Sequence, residues 1–386
     1  MRAVGLRVAL LAGTLRQGGA EKQLIYMTRA LLQAGVDVRV YSLTRGEYYE
    51  STLQAMGVQP KWVGQYSSPI FRLMTLIRSL HKFKPHVLQA AHFYANLYVS
   101  LSAPVYNAVG IGTIRSDIVY EMEANRIWGK LLVNGCGSII ANSQIGRNNA
   151  VNMGIASEKA YYLPNVIDLA DFDKQYAEAK DINIEIDKPT PIVIASAGRM
   201  LPAKRYDRFI NALAIARQEM STIVGMLIGD GPEKENLQLL MQQKGLSDEE
   251  LIFLGRRDDV PALLKQADIF LLTSDHEGFP NVLLEAMAAR LPIITTSAGD
   301  ASKIIQDGLT GYIVSDNNVD KLVACILRLA RSKKLRNQLG QNGRRRVEQK
   351  FIFDKLAENL ITTYQTIANQ QNSRRLLKAL SEKKSE

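Results

Sequence analysis

The feature that most limits the fold of this chain is its rhythm: short, branched apolar runs alternate with longer helical spans from one end to the other. Residues 7–12 read as a strand, and 20–33 as a helix stopped at Gly35; 37–42 and 59–63 are strands again. A basic helix over 70–83 leads into strands at 86–91, 108–115, 138–142 and 160–163. Strands delivered singly between helices pair in parallel, and a parallel sheet needs helices over both faces. The segment 164–191 breaks the rhythm. It is acidic, with Asp168, Asp171 and Asp173, and has no sustained periodicity. The alternation restarts with a strand at 192–197, a helix at 206–218, a strand at 223–229 and a helix at 233–244. Short strands at 252–254, 269–273, 292–296 and 310–314 follow, each with a helix between, then helices at 319–331 and 334–349. The expectation is two doubly wound parallel-sheet domains, 1–165 and 191–350, joined by a linker over 166–190. A last helix, 353–368, is placed to return to the first domain, and the charged tail 373–386 is expected to fray. A chain of 386 residues is comfortable for two cores. Doubly wound sheets bind ligands outside the carboxyl ends of their strands, so a cleft between the two is the expected site.

Charge and composition narrow the partners. Apolar residues at 46% and charged residues at 22% describe a globular protein. The excess of 48 basic over 38 acidic residues favours anionic partners, such as nucleotide diphosphates or anionic lipid surfaces. No nucleic-acid recognition motif accompanies the charge, so nucleic acid is set aside. Cys136 and Cys325 make neither a disulfide framework nor a metal cluster and read as buried thiols in a reducing cytosol. The apolar run 7–12 follows basic residues as a signal peptide would, but it is short and ends in Gly13, so it reads as a strand. No stretch approaches the ~18 uninterrupted apolar residues of a spanning helix. The nearest, 97–114, is broken by Ser100, Ser102, Pro104, Asn107 and glycines, and a cytoplasmic protein is expected.

The richest chemistry lies in 274–285. An apolar strand runs into Ser274-Asp275-His276-Glu277-Gly278-Phe279-Pro280, and Pro280 stands where a proline opens a helix. Free amides and partial positive charge at that helix mouth suit a phosphate. Glu277 and Glu285, eight residues apart, suit the hydroxyls of a sugar and a ribose. Phosphate flanked by polyols describes a nucleotide sugar.

At this point the residues resemble a known group. Glu277-Gly278-Phe279-Pro280 through Glu285-Ala286-Met287-Ala288 is similar to the signature of the retaining GT-B glycosyltransferases of family four. So are Gly18-Gly19-Ala20-Glu21, Pro164-Asn165-Val166-Ile167-Asp168, Ala197-Gly198-Arg199 with Lys204, and Ile228-Gly229-Asp230-Gly231-Pro232. The five stretches occur in the family's order and span nearly the whole chain. The resemblance implies the GT-B fold, two Rossmann-like domains facing a cleft. It also implies a nucleotide-diphosphate sugar donor held mainly by the second domain, transfer with retained anomeric configuration, and no metal or other cofactor.

By the same resemblance Arg199 and Lys204 grip the diphosphate, where fixed cations can stabilise a departing anion. Glu285 accepts from the ribose hydroxyls and Glu277 contacts the donor sugar, with Gly278 and the backbone amides of Phe279, Asn281 and Val282 near the phosphate. Pro280 has no N–H to give, and His276 is as well read as a strand-end side chain. Gly18 and Gly19 let the backbone approach a ligand, whereas Glu21 reads as a carboxylate complementing the helix dipole. His92 ends a strand where the family has a catalytic-site histidine that contacts the donor sugar near the reacting centre. Arg115 and Asp117, with Ser116, close the next strand and either meet an acceptor or cap the sheet. No carboxylate of the first domain stands out as a nucleophile, so same-face attack, with the leaving phosphate taking the acceptor's proton, is the expected route to retention.

The chain departs from the family pattern at four places. Arg290 stands for a glycine, Lys303 for a glutamate, Asp300 for the second glycine of a pair, and Val166 for a frequent glycine. Donor identity is therefore not transferred from better-known relatives. The acceptor is expected to be a glycan or a lipid-linked glycan, in polysaccharide or lipopolysaccharide assembly. The helix 71–84, basic and apolar together, reads as packed on its own sheet with snorkelling cations, or as lying on an anionic membrane; the first is preferred. The competing enzyme is a nucleotide-sugar 2-epimerase of the same shape, which needs no acceptor surface. A solute-binding protein would call for an export signal. A metal-dependent transferase would want Asp-x-Asp after a strand, and Asp171-Phe172-Asp173 lies in the expected linker.

Overall fold

Each expected run of strands becomes one parallel sheet in the computed structural model, which describes residue 3 and residues 5–116, 135–179, 191–314 and 318–381. The chain divides into two units, Met1–Val166 with Phe353–Glu386, and Ile167–Ile352.

The first unit contains β1 (Arg7–Ala12), β2 (Asp37–Ser42), β3 (Lys61–Trp62), β4 (Val87–Ala90), β5 (Val109–Ile114), β6 (Ser138–Ala141) and β7 (Ala160–Tyr162), in the order β3-β2-β1-β4-β5-β6-β7. Alternation along β1 serves both faces of the sheet. Val8, Leu10 and Ala12 pack with the helices Gly19–Gln33 and Leu356–Gln370, while Ala9 and Leu11 pack with Leu76, Leu80 and Val99. The chain leaves β1 toward β2 and β3, then crosses back to set β4 on the other side of β1. That reversal is a topological switch point, and the register Leu11↔Ala90 places the residues after β1 beside those after β4.

The second unit repeats the plan. Its strands are β8 (Ile192–Ala197), β9 (Ile223–Ile228), β10 (Leu251–Phe253), β11 (Ile269–Leu272), β12 (Ile293–Thr296) and β13 (Gly311–Val314), in the order β10-β9-β8-β11-β12-β13. The switch point lies between β8 and β11, with Ala195 paired to Phe270. Val193, Ala195 and Ala197 pack with Leu283, Met287 and Val347, and Ile194 packs with Phe209, Leu213 and Ile326 on the opposite face.

Three expectations change. Within the stretch read as linker, Leu169–Glu178 is a helix: the Asp168 carboxylate caps it by accepting from the Asp171 amide at 3.2 Å. Phe172, 3% exposed, joins the core of the second unit. Leu169 and Tyr176 pack against that core beside it, an apolar face that the acidic composition had hidden. Val166, taken for a linker residue, is the last of the first unit. Its amide donates to Gln23 Oε1 at 3.1 Å and its carbonyl accepts from Gln23 Nε2 at 2.7 Å. The tail does not fray through 381: Arg374–Ser381 is a helix whose Leu376 and Ala379 are buried against the first unit. Arg375 donates from that helix to the carbonyls of Tyr106 and Lys84. The helices Glu50–Ala55 and Asn96–Ser102 were not anticipated either; both are shorter than the window in which helical periodicity is legible.

Candidate functional site

Each unit gathers its candidate residues at its own switch point. In the second, the loops after β8 and β9 are zipped together: the Gly198 amide donates to the Ile228 carbonyl at 2.9 Å and the Met200 amide to the Asp230 carbonyl at 2.9 Å. A Cβ on Gly229, whose φ is +143°, would lie 2.0 Å from the Gly198 carbonyl oxygen, so that close approach needs glycine. The loop then makes the short 3-10 turn Pro202–Lys204. There it is tied to the segment after β11. The Asp275 amide donates to the Ala203 carbonyl at 2.8 Å, and Thr273 Oγ1 donates to the Lys204 carbonyl at 3.1 Å. Arg205 and Arg208 grip the two carboxylate oxygens of Asp275 at 2.8 and 2.6 Å. Burial works to raise the Asp275 pKa, but the two guanidinium groups prevail and hold it below its usual value.

This scaffold brings two predicted residues together. Lys204 Nζ lies 2.6 Å from Glu277 Oε1, and Ser274 Oγ donates to the same oxygen at 2.7 Å. The side chains are 23% and 9% exposed. Lys204 is thus a paired cation, not a solvated one. Arg199 is exposed, and its side chain has no hydrogen bond or ion pair among the described residues. His276 is exposed too.

Beyond Glu277, the helix Asn281–Ala288 opens with Pro280 as its N-cap. In its first turn the Leu283 amide donates to the Pro280 carbonyl at 3.1 Å, while the amides of Asn281 and Val282 lie ahead of any intrahelical acceptor. Gly278 is buried, and its carbonyl accepts from the Asp300 amide at 3.0 Å. Phe279 is 5% exposed and meets Phe351 edge-on at 5.7 Å, so its side chain belongs to the core and only its backbone is available to a ligand. Asn281, Val282 and Glu285 are half-buried on the opening helix. Arg290, where the family pattern has glycine, takes φ +60°: the helix ends in the left-handed conformation that glycine adopts without strain.

In the first unit the loop 13–18 leads from β1 into the helix Gly19–Gln33. The carboxylate of Glu47 pins it, accepting from the Leu15 amide and from Arg16 Nε at 2.8 Å. His92, which follows β4, meets the start of that loop. The Gly13 amide donates to His92 Nδ1 at 3.0 Å, and His92 Nε2 lies 3.1 Å from Glu21 Oε1. An occupied Nδ1 lone pair puts the ring proton on Nε2, so His92 donates to the carboxylate. Thr14 Oγ1 donates to the same Glu21 oxygen. Tyr94 stacks on the imidazole with centroids 5.7 Å apart.

Glu21 is the residue that sequence reasoning undervalued. Its carboxylate does complement the helix dipole from the first turn, yet it is also 8% exposed and bonded to His92. Burial works to raise its pKa, and the hydrogen bonds from His92 and Thr14 outweigh that and hold it low. A Cβ on Gly18 would lie 2.4 Å from Glu21 Oε2, so the bare side of Gly18 faces this carboxylate. Gly19 is the first residue of the helix. A glutamate three residues after a glycine at a helix opening, with a strand-end histidine elsewhere, was the available signal. Arg115 is turned inward, with NH1 donating to Asn165 Oδ1 and NH2 to Met27 Sδ, each at 3.1 Å. Burial lowers its pKa to about 10, against the pull of Tyr364 and Glu21. Ser116 is half-buried, and Asp117 lies outside the described residues.

Two family models match the chain in succession, Glycosyltransferase Family 4 over residues 17–171 and Glycosyl transferases group 1 over residues 178–346. Among curated relatives, N-acetyl-alpha-D-glucosaminyl L-malate synthase of Bacillus anthracis is 32% identical over 161 residues, 42% of each chain. The capsular polysaccharide biosynthesis glycosyltransferase CapM of Staphylococcus aureus is 24% identical over 335 residues, 80% of this chain and 83% of that one. The chain thus spans about two fifths of the first relative and more than four fifths of the second. The fold is that of Anabaena HepE, solved with UDP and glucose, at TM-score 0.80 and 20% identity over 93% of this chain and 99% of that one. S. aureus TarM has the same fold at TM-score 0.75 and 12% identity, over 92% of this chain and 98% of that one. With two family models in tandem over most of its length and two Rossmann-like parallel sheets, the chain belongs to glycosyltransferase family four, the group 1 glycosyltransferases of GT-B fold.

Proposed function

We propose that this protein transfers a sugar from a nucleotide-diphosphate sugar to a glycan or lipid-linked acceptor, with retained anomeric configuration and without a metal ion. The observation that carries the reading is the meeting of Lys204, Glu277 and the mouth of the helix Asn281–Ala288 at the switch point of the second unit. Cleaving a sugar–phosphate bond leaves negative charge on the departing diphosphate. The Lys204 ammonium, the Arg199 guanidinium and the helix amides are the groups that would take it up. Glu277 is then released from Lys204 to a sugar hydroxyl, and Glu285 serves the ribose. The first unit serves the acceptor. In same-face attack the departing phosphate oxygen takes the acceptor's proton, so no protein nucleophile is required.

Relatives support the reading in its broad form. HepE has been crystallised with UDP-glucose. CapM is named for capsular polysaccharide biosynthesis, and an E. coli relative is named as a galactosyltransferase acting on a diphosphoundecaprenol-linked sugar. None of these relatives is named as an epimerase, so that alternative is not favoured.

A lipid-linked acceptor would bring the protein to a membrane surface, and the helix Pro69–Leu80 suits that. Leu76 and Leu80 are buried beneath it, yet Ile70, Phe71 and Met74 are 68%, 55% and 41% exposed. The exposed Arg78, Lys82 and Lys84 follow them. Apolar residues beside cations suit an anionic lipid surface. Among the described residues no helix is long and apolar enough to cross a membrane. Flotation with anionic liposomes tests the contact; equal flotation of Phe71→Glu, or none by the native protein, refutes it.

The central experiment screens nucleotide sugars by UDP or GDP release in the presence of lipid-linked acceptors, and reads the product anomer by NMR. Retained configuration with chelator present is expected. An inverted product refutes retention, and turnover abolished by chelator and restored by manganese refutes metal independence.

A further inference from the structure

A histidine beside a reacting centre is usually credited with moving protons, and the geometry of His92 argues against that here. Both ring nitrogens are spent inside the first unit. Nδ1 accepts from the Gly13 amide at 3.0 Å, and Nε2 is held at 3.1 Å by Glu21 Oε1. Tyr94 covers one face of the ring, and its own position depends on the missing side chain of Gly13, where a Cβ would fall 1.8 Å from the phenol oxygen. His92 and Glu21 side chains are 12% and 11% exposed. A ring fixed by two hydrogen bonds and a stacked aromatic has one orientation. It presents carbon edges, not a free lone pair.

We propose that Glu21 is a positioning residue that locks His92 as the Nε2–H tautomer against the Gly13 amide, and that Gly18 is glycine chiefly to admit the Glu21 carboxylate. The proposal rests on the reading of His92 as part of the transfer site, and it changes what His92 does there. His92 fixes the course of the loop after β1 and forms a wall, and it transfers no proton.

Two features of the chain make the lock specific. Glu21 sits in the first turn of its helix, where the dipole favours a carboxylate, and Thr14 adds a donor to the oxygen that His92 uses. Gly18 has φ −165°, an extended conformation open to any residue, so backbone strain does not call for glycine there. Space does. Chain neighbours aside, the three atoms nearest a Cβ at position 18 all belong to Glu21: Oε2 at 2.4 Å, Cδ at 3.3 Å and Oε1 at 3.8 Å. Once the carboxylate is gone, an alanine at 18 has room.

The first test needs no substrate. The chain has four histidines, and the His92 ring signals in a two-dimensional 15N–1H NMR spectrum are identified by their loss in His92→Gln. The native protein should show the Nε2–H pattern. Glu21→Gln, whose amide oxygen still accepts from Nε2–H, should keep it; Glu21→Ala and Gly18→Ala should both lose it. The second test measures nucleotide release from the sugar donor that turns over in the screen above, with UDP-glucose as the first tried. Glu21→Ala should lower kcat on the order of 100-fold, as a displaced site group does, with KM nearly unchanged. Glu21→Gln should stay within about threefold of the native rate. Gly18→Ala should match Glu21→Ala, and the double variant should be no worse than either single one.

The outcomes separate. An unchanged His92 pattern in Glu21→Ala overturns the lock, whatever the activity. An Nδ1–H pattern in the native protein overturns it too. A Gly18→Ala penalty that persists in the Glu21→Ala background overturns the steric part. Full activity of His92→Gln overturns the reading of His92 as a site residue, while leaving the NMR result on Glu21 to stand or fall alone. Should Glu21→Ala fail to fold, Gly18→Ala and Glu21→Gln carry the same comparison.

Discussion

Lys204→Ala is the perturbation that probes the second unit most directly, because it removes one member of an ion pair and leaves the other enclosed. At the 2.6 Å contact the charge centres lie roughly 3 Å apart, and an effective dielectric constant of about 20 gives a gross attraction of roughly 5–6 kcal/mol. Much of that is offset by desolvation, so the better guide is the penalty for stranding one partner, about 3–5 kcal/mol at a fully buried site. Lys204 is 23% exposed, and Ser274 still donates to Glu277 after the change. Both facts reduce the figure to about 2 kcal/mol, and in a unit of this size that shifts the melting temperature by roughly 4–8 °C. Thermal unfolding followed by circular dichroism measures it. In a Glu277→Gln background no charge is stranded, and Lys204→Ala should then change stability by less than about 0.5 kcal/mol. An equal loss in both backgrounds would refute the pairing as the cause. Lys204→Ala should also weaken binding of the nucleotide diphosphate that the donor screen identifies, read by calorimetry, which tests the proposed phosphate role separately from the pairing.

His86 gives a pH signature. Burial, then the nearby charges of Arg7 and Arg375, lowers its pKa from 6.5 to about 4, so the folded state disfavours the proton that the unfolded chain accepts. Stability is full above pH 6.5 and falls as the pH drops toward 4, by roughly 2–3 kcal/mol between pH 6.5 and 4.5. Urea midpoints should lose that slope in His86→Gln, and an unchanged slope assigns it elsewhere. Arg290→Gly should stabilise by about 0.5–1 kcal/mol in thermal unfolding, because φ +60° strains an L-residue; destabilisation contradicts the strain argument. Gly299→Ala should lower turnover about 10–100-fold. At φ +55° its Cβ would fall 2.5 Å from the carbonyl oxygens of Glu277 and Gly278, and the Glu277 turn must move. Native kinetics in that variant would mean the turn is not held as tightly as its contacts imply.

The order of strands and helices was legible in the chain because buried parallel strands are short branched apolar runs and their helices repeat at 3.6 residues. What escaped were elements too short for a period, such as Asn96–Ser102, and helices that fully bury only one or two apolar residues, such as Leu169–Glu178 with Phe172 and Arg374–Ser381 with Leu376 and Ala379. Glycine positions were legible, but not their reasons. Gly18 looked like room for a ligand, and its missing side chain faces Glu21. Phe279 was read for its backbone amide, and the structure adds what its ring does, packing in the core against Phe351.

The sequence by itself determined the two parallel sheets, the motifs and their family, because periodicity, helix openings and strand-end residues are local properties of a chain. Only tertiary structure decided which of those residues meet. Lys204 and Glu277 are 73 positions apart and Glu21 and His92 are 71 apart, yet each pair is in contact. The physical reason is the same in both units. The crossover that reverses the strand order sets the first strand of each sheet beside its fourth, and residues that leave those two strands must share one edge.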